Sequence, residues 1–426
     1  MANYQLQRGT YDAYYEDAMN IEKIVEMLKS IVNTYGYSPI HTPMYESTNL
    51  FARSAGESSD IVTKEMYNFV DKSGREITLR PELTAGVMRA IVTNKLYAVK
   101  DLPLKLSYYG SAFRYERPQA GRYRQFNQFG VENVGVNSPY NDAETIILGY
   151  NALKMIGFPH LILKINSIGD EESRSNYKNA LKEYFSDKVE SMCPDCQRRY
   201  QTNPLRILDC KVEDDQKIIK DAPKMSDYLN EESKKYFSEI LKILDSEGVE
   251  YQVDDTLVRG LDYYSHVVFE YHFYLEAGNS LGAIGAGGHY DNLLKEIGGP
   301  QLSSVGFALG IERLNLLLKQ IDPDKYAKVN LDVYLMSLGE ENLSKVFSLC
   351  QNLRANGFSC DMSYENKSIK SQFKVADRKN SKFALIVGSD EIKNQTVQLK
   401  NMKTQEQKEV KIEDLIDVLD QEIENF

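Results

Sequence analysis

Between residues 17 and 35, Ile21, Ile24, Val25, Leu28, Ile31, Val32 and Tyr35 recur at steps of three and four, the spacing that gives a helix one apolar face. Gly36 is placed to end that helix. In the next segment, GYSPIHTPMYES, Pro39 and Pro43 forbid helix and suit an edge strand. Residues 61–70 and 75–81 then read as a hairpin around Lys72-Ser73-Gly74, and Arg80-Pro81-Glu82 leads into a helix beginning near Thr84. Residues 105–135 read as two strands joined by a Pro- and Gly-bearing loop, 142–156 as a helix and 159–168 as a strand. From about 170 to 250 the chain is dense in Lys, Glu and Asp and helical in pattern, which predicts an inserted helical module. Sheet-like sequence returns at 251. Residues 257–275 read as a strand, a turn at Arg259-Gly260 and a second strand, and 304–318 as a strand running into a helix. Beyond a linker at 322–330, the strands LDVYLMSL, SCDMSY, FALIVG and TVQLKN alternate with helices, predicting a small α/β domain.

Composition changes this picture little. With 426 residues and 42% hydrophobic content, the chain should hold two or three domains with a substantial core. A net charge of −11 argues against a surface that is basic throughout, while leaving room for local basic patches. The opening residues carry no apolar h-region and no long apolar run occurs, so neither a signal peptide nor a membrane span is expected. Five cysteines, an odd number, fit a reducing cytoplasmic compartment.

The densest chemistry lies at residues 113–132, FRYERPQAGRYRQFNQFGVE. Arg114, Arg117, Arg122 and Arg124 stand against the single Glu116. Guanidinium forks suit phosphate oxygens and lie flat on an adenine ring. Side chains alternate between faces along a strand, so Phe126, Gln128 and Glu132 share one face as an aromatic plate, an amide and a carboxylate. A triphosphate grip beside a reader of a small polar molecule suggests an enzyme that activates an acid with ATP. Three more segments carry reactive groups: Arg80-Pro81-Glu82-Leu83-Thr84, LVRGLDYY (257–264) and GFALGIERL (306–314).

Together these segments resemble the class II aminoacyl-tRNA synthetases, and among them the histidyl-tRNA synthetases. Helix 17–35 with Thr42-Pro43-Met44-Tyr45-Glu46 is similar to motif 1, FRYERPQAGRYRQF to motif 2 and GFALGIERL to motif 3. LVRGLDYY and GGHYD are similar to the two signatures peculiar to the histidine enzymes. The resemblance runs over essentially the full chain. It implies an α+β fold, with the class II antiparallel sheet flanked by helices, a helical insertion and a C-terminal α/β anticodon-binding domain. The catalytic domain would occupy 1–170 and 251–325, the insertion 171–250 and the anticodon-binding domain 331–426. The implied activity is a histidine–tRNA ligase that forms histidyl-adenylate from L-histidine and ATP, with Mg²⁺ on the ATP phosphates, and passes histidine to tRNA(His). A cytoplasmic homodimer is implied as well.

Residue roles follow from the same resemblance. Arg114 would grip the α-phosphate, Phe126 stack on adenine, Glu116 lie near its amino group, Arg122 reach the outer phosphates and Arg313 close over the other face of the base. Glu82, Thr84 and Gln128 would hold the α-amino group, Glu132 and Tyr264, beside Tyr263, the imidazole, and Arg259 is the implied catalytic arginine working with Arg114. An imidazole offers one donor and one acceptor, so amino acids lacking those nitrogens would strand buried polar groups, a penalty of roughly 10⁴-fold. No editing domain is then needed. A non-catalytic, synthetase-like regulatory subunit of histidine biosynthesis is the alternative, although such proteins usually lose LVRGLDYY and the C-terminal domain.

Several features invite sharper readings. Cys193-Pro-Asp-Cys196 with Cys210 suggests zinc, but a zinc site wants four ligands, the module has no histidine and Cys210 stands alone, so no metal is expected. GAIGAGG (282–288) lacks the dinucleotide spacing, and its bare glycines suit close approach of backbone to substrate. Lys367, Lys370, Lys374, Arg378 and Lys382 recur as one helical stripe, and in a tRNA enzyme they are candidate phosphate contacts. His289 in GGHYD stands where the family usually has arginine, which puts that arginine's contribution in question.

Overall fold

The structure, a computed structural model, describes residues 4–56, 59, 61–98, 101–274, 280–323 and 330–424. The chain divides into two compact units, Met1–Pro323 and Asp324–Phe426. Of the predicted linker, residues 324–329 lie outside the described residues.

The first unit is built on an eight-stranded sheet. Its strands run in the spatial order Ser38–Pro39, Leu104–Phe113, Gln125–Val134, Ser304–Gly310, Ser280–Tyr290, Ser265–Tyr274, Leu161–Gly169 and Tyr251–Val253. The six inner strands pair antiparallel, and a short parallel strand lies at each edge. Pro39 sits on one of those edge strands, where its missing N–H costs no ladder bond. One face of the sheet is covered by helices. Helix Glu16–Thr34 buries Ile21, Ile24, Val25, Leu28, Ile31 and Val32, and packs on helices Pro139–Ile156 and Ile311–Ile321. Burying each such aliphatic side chain stabilises by roughly 1.5–3 kcal/mol. The other face carries the cavity described below. Helix Thr84–Thr93 packs there on the short helix Leu293–Glu296.

Residues 171–250 are helical, with helices Glu171–Phe185, Pro194–Thr202, Glu213–Ile219 and Glu231–Ser246. The last of these packs on helix Pro139–Ile156 and so belongs to the layer behind the sheet. The stretch before it has a core of its own, including Tyr177, Leu181, Phe185, Ile207 and Met225.

Two predicted strands are not strands. Residues Ile61–Glu65 form a single π-helical turn, and pairing starts only at Tyr67. Ser59 causes this locally: its hydroxyl accepts the Val62 amide at 3.2 Å and its carbonyl the Thr63 hydroxyl at 2.9 Å. Residues 257–264 form a loop, and the strand begins at Ser265. Side chains capture this loop's carbonyls: Asn166 Nδ2 donates to Leu257 O at 3.1 Å and Arg174 to Tyr264 O at 2.6 Å.

The second unit has a five-stranded sheet in the order Cys360–Met362, Val333–Ser337, Phe383–Val387, Thr396–Asn401, Gln407–Lys411. The first three strands are parallel and the last two antiparallel. The fifth strand escapes the sequence reading because Gln407, Lys408 and Glu409 are all exposed, which leaves no apolar alternation. Helix Ile369–Arg378 carries Lys370, Lys374 and Arg378 on its exposed side. Lys367 precedes the helix and pairs with Glu365, while Lys382 lies beyond it and binds Asp332 at 2.8 Å. The helical stripe therefore has three members. Ser368, whose hydroxyl accepts the Ser371 amide, caps the helix and excludes Lys367.

Candidate active site

Alternation along Gln125–Val134 points Phe129 and Val131 at the helices and Phe126, Gln128 and Glu132 at the opposite face. Position 130, in the same stripe, is glycine. A Cβ there would come within 2.4 Å of Tyr108 on the neighbouring strand, so its absence lets that ring lie across the sheet. The Tyr108 hydroxyl then donates to Glu132 Oε1 at 3.1 Å, and Tyr290 donates to Oε2. Gly306, opposite Glu132, likewise leaves space that a Cβ would take from the carboxyl group. Glu132 is fully enclosed. Burial pushes its carboxyl up to about 8, and the hydrogen bonds from Tyr290 and Tyr108 only partly offset that.

A cavity of about 140 Å³ opens beside it, lined by Glu82, Thr84, Arg114, Gln128, Glu132, Arg259, Tyr263, Tyr264 and Tyr290. Glu82 sits before the first turn of helix Thr84–Thr93, where its carboxylate accepts the Thr84 amide and, at 2.9 Å, the Ala85 amide. Burial pushes its carboxyl up despite those bonds. Arg80, in the same segment, works elsewhere: it donates to Ser111 O and Thr42 O at 2.7 and 2.9 Å and fixes the strand-to-helix turn.

The loop 257–264 brings Arg259 and Tyr264 to the cavity from the far side of the chain. Arg259 is paired with Glu270, which His272 also holds at 2.8 Å. Burial would weaken the Arg259 charge, but Glu270 outweighs it and keeps the guanidinium firmly protonated. The Tyr264 ring packs where Gly288 has no Cβ, and lies tilted against Tyr263 at a centroid distance of 4.6 Å. Two buried polar atoms of lining residues, Gln128 Oε1 and Arg259 Nε, find no protein partner among the described residues. Such atoms are costly unless a ligand satisfies them.

The loop between the hairpin strands turns at Gly121, which takes φ 72°, and Arg122 bonds back to Gln119. Arg114 lies 5.4 Å over the Phe126 ring, donates to Pro81 O at 2.8 Å, and has Glu116 at 3.6 Å. Arg313 opens helix Ile311–Ile321 beneath the loop. Burial and the positive charge of Arg122 both lower its pKa, so two guanidiniums share one region. Arg124 is occupied structurally, 3.7 Å over the Tyr115 ring. Every residue expected to bind histidine therefore lines one cavity, and Glu116, Arg122, Phe126 and Arg313 lie around the adjoining hairpin loop.

Some functional partners escaped the sequence reading. Tyr108 and Tyr290 hold Glu132, Glu270 holds Arg259, and buried Glu312 accepts the Asn127 amide, the Asn127 side chain and the Tyr11 hydroxyl. Gly130 inside the stripe is the one local signal for Tyr108. Tyr290 and Glu270 depend on strand register, and Glu312 on how helix Ile311–Ile321 packs against strand Gln125–Val134.

His289 does not face the cavity. Its neighbour Tyr290 does, so alternation sends His289 through to the helix layer. There Nδ1 lies 2.9 Å from Asp142 Oδ2 and Nε2 2.9 Å from Asp291 Oδ1. Burial alone would lower its pKa, but the two aspartates outweigh burial and push it up to about 10. His289 is thus a buried imidazolium tying the sheet to helix Pro139–Ile156. His266 lies near the same Asp291, but with both His289 nitrogens engaged by carboxylates the group reads as an ion network rather than a metal site.

The expectation of no metal at the cysteines rested on a missing fourth ligand. The structure brings Cys193, Cys196 and Cys210 together and adds Asp215, which has no spacing signature that marks it as a ligand.

Known proteins resemble the chain along nearly its whole length. The family model described as histidyl-tRNA synthetase matches residues 9–314, and an anticodon binding domain matches residues 332–422. A histidine–tRNA ligase from Bacillus velezensis is 44% identical over 419 residues, covering 98% of each chain. One from Thermosipho melanesiensis is 47% identical over 407 residues, covering 96% of each. The crystal structure of apo histidyl-tRNA synthetase from Staphylococcus aureus superposes with a TM-score of 0.83 at 37% identity, over 98% of this chain and 100% of that one. With a family model matching most of the chain and full-length relatives at this identity, the chain belongs to the histidyl-tRNA synthetase family.

Proposed function

We propose that the chain activates L-histidine with ATP to histidyl-adenylate and pyrophosphate, then transfers histidine to the 3′-terminal adenosine of tRNA(His). The observation that carries this reading is the single cavity in which Glu82, Gln128, Glu132, Arg114, Arg259 and Tyr264 converge. Glu82, Thr84 and Gln128 hold the α-ammonium group. Glu132 and Tyr264, with Tyr263 behind, read the imidazole. Glu132 keeps its proton at neutral pH in the free protein; an imidazole beside it can take that proton and form an imidazolium–carboxylate pair.

In the first step a histidine carboxylate oxygen bonds to the α-phosphorus, and the bond from that phosphorus to the bridging oxygen of pyrophosphate breaks. Two anions must meet, so cations at the α-phosphate lower the barrier by offsetting repulsion and stabilising developing charge. Arg114 and Arg259 supply them. Glu116, Phe126 and Arg313 hold the adenine, and Arg122 holds the outer phosphates; the crowding of Arg122 and Arg313 is relieved when an anion lies between them. ATP would enter as its Mg²⁺ complex, in which the ion would supply charge neutralisation of the departing pyrophosphate. In the second step the terminal ribose hydroxyl attacks the histidyl carbonyl, AMP leaves, and the hydroxyl proton passes to the AMP phosphate.

The second unit would receive tRNA, with Lys370, Lys374 and Arg378 on phosphates. A homodimer is supported by Met44, Tyr45, Phe69 and Val70, which are exposed at and beside the strands Tyr45–Ser47 and Tyr67–Val70 of one small sheet. A reducing, cytoplasmic setting is supported by five free thiols. The non-catalytic alternative loses ground because Arg259 and Tyr264, on the loop such proteins usually lack, line the cavity. Arg259→Ala should lower histidine-dependent exchange of pyrophosphate into ATP by about 10²–10³-fold, with circular dichroism unchanged. Full exchange in that variant would remove Arg259 from the reaction.

A further inference from the structure

Three of the five cysteines meet outside the catalytic cavity, and nothing in the proposed reaction uses them. Cys193 caps helix Pro194–Thr202 and Cys196 lies in its first turn. Cys210 follows the 3₁₀ turn Pro204–Asp209, and Asp215 lies in helix Glu213–Ile219. Three separate segments thus aim three sulfurs and one carboxylate at a common point, with all four candidate ligand atoms within 4.8 Å of one another. Cys193 Sγ and Cys210 Sγ are 3.8 Å apart, and Asp215 Oδ2 is 3.1 Å from Cys210 Sγ.

These distances discriminate between chemistries. A disulfide needs sulfurs about 2.05 Å apart, and all five cysteines are free. A tetrahedral ion with metal–sulfur bonds of about 2.3 Å has sulfur–sulfur edges of about 3.8 Å. Cys196, Cys210 and Asp215 are buried, as a closed structural site requires. Outer hydrogen bonds that steady the ligands are also in place: the Val212 amide reaches Cys210 Sγ at 3.5 Å, and the Cys193 amide contacts both Asp215 oxygens at 3.2 Å. Thiolates favour a soft or borderline ion over Mg²⁺ or Ca²⁺, and four protein ligands leave no open position for catalysis.

We propose that Cys193, Cys196, Cys210 and Asp215 bind one structural zinc ion, which fixes the segment 193–215 against the loop that carries Arg259 and Tyr264. The connection to that loop is direct. Asn203, between the second and third cysteines, donates from Nδ2 to Asp262 Oδ1 at 2.8 Å. Asn203, Leu205 and Arg206 line a small cavity together with Arg259 and Tyr264. An ion holding both ends of this segment buttresses the loop from behind, without touching substrate.

The test is metal content, which does not depend on the ligase reading. Full-length protein expressed in zinc-supplemented medium and purified under reducing conditions should carry about one zinc per chain by elemental analysis, as a closed four-ligand site predicts. Replacement by Co²⁺ should give sulfur-to-cobalt charge-transfer absorption and intense tetrahedral d–d bands. Cys210→Ser and Asp215→Asn should each lose most of the zinc, and chelation of the wild type should lower its melting temperature. If Cys210→Ser fails to fold, wild-type zinc content and the cobalt spectrum still decide. Wild-type protein without zinc, cobalt bound without tetrahedral bands, zinc retained in Cys210→Ser, or a Cys193–Cys210 disulfide in anaerobically purified protein would each overturn the proposal.

Discussion

Glu132 and His289 are both buried and both carry raised pKa values, for opposite reasons. Burial raises Glu132 to about 8 because it disfavours the carboxylate. In the unfolded chain a glutamate titrates near 4.3, so as pH rises from about 4.3 to about 8 the unfolded state gives up its proton first and stability falls. Glu132→Gln should flatten the pH dependence of the melting temperature over that window while abolishing histidine activation. An unchanged slope would mean that Glu132 is ionised in the fold. Aspartates raise His289 to about 10. Its contribution is complete below about 6.5 and is lost as pH rises through about 10. His289→Ala leaves Asp142 and Asp291 facing each other without the cation and should cost roughly 3–5 kcal/mol in urea unfolding. A loss well under 1 kcal/mol would show the pair relaxing into solvent. The sequence marks His289 as a departure from the family pattern beside residues proposed to read the substrate. Only sheet register reveals that it faces the helices, since neighbours on a strand point to opposite faces.

The hairpin Leu104–Phe113 and Gln125–Val134 is the element most legible in the sequence. Its cavity-facing stripe needs only the two-residue period, so Phe126, Gln128 and Glu132 follow from local order. The loop 257–264 is legible as chemistry and not as conformation. Its apolar residues suggest a strand, but Asn166 and Arg174, distant in sequence, take the carbonyls that a strand would use. The basic helix Ile369–Arg378 falls between these cases: period gives Lys370, Lys374 and Arg378, while the Ser368 cap excludes Lys367. Charge reversal at those three positions should reduce tRNA charging by 10-fold or more at moderate salt, because each lost phosphate contact weakens a salt-dependent attraction. Histidine-dependent exchange should be unchanged. Equal losses in both assays would place the helix in the fold rather than at the RNA.

Across the whole molecule, a net charge of −11 disfavours broad contact with a polyanion and favours local basic patches, of which that helix is the proposed one. The class II architecture is legible from short motifs, two of which, FRYERPQAGRYRQF and GFALGIERL, carry the charged side chains proposed to hold ATP. The metal-like cluster is legible only in its three cysteines, because Asp215 joins them through the packing of helix Glu213–Ile219. If Tyr45 and Phe69 lie at a subunit interface, the double variant Tyr45→Glu, Phe69→Glu should sediment as a monomer where the parent sediments as a dimer. A parent that sediments as a monomer would move the interface question elsewhere. The most direct measurement is amino-acid-dependent exchange of labelled pyrophosphate into ATP, run with each of the twenty amino acids. Histidine alone should stimulate exchange, with any other amino acid weaker by roughly 10⁴-fold, since none offers the pair of imidazole nitrogens that the proposal has Glu132 and Tyr264 read. Exchange driven by another amino acid, or none with histidine, would contradict the assignment of this cavity.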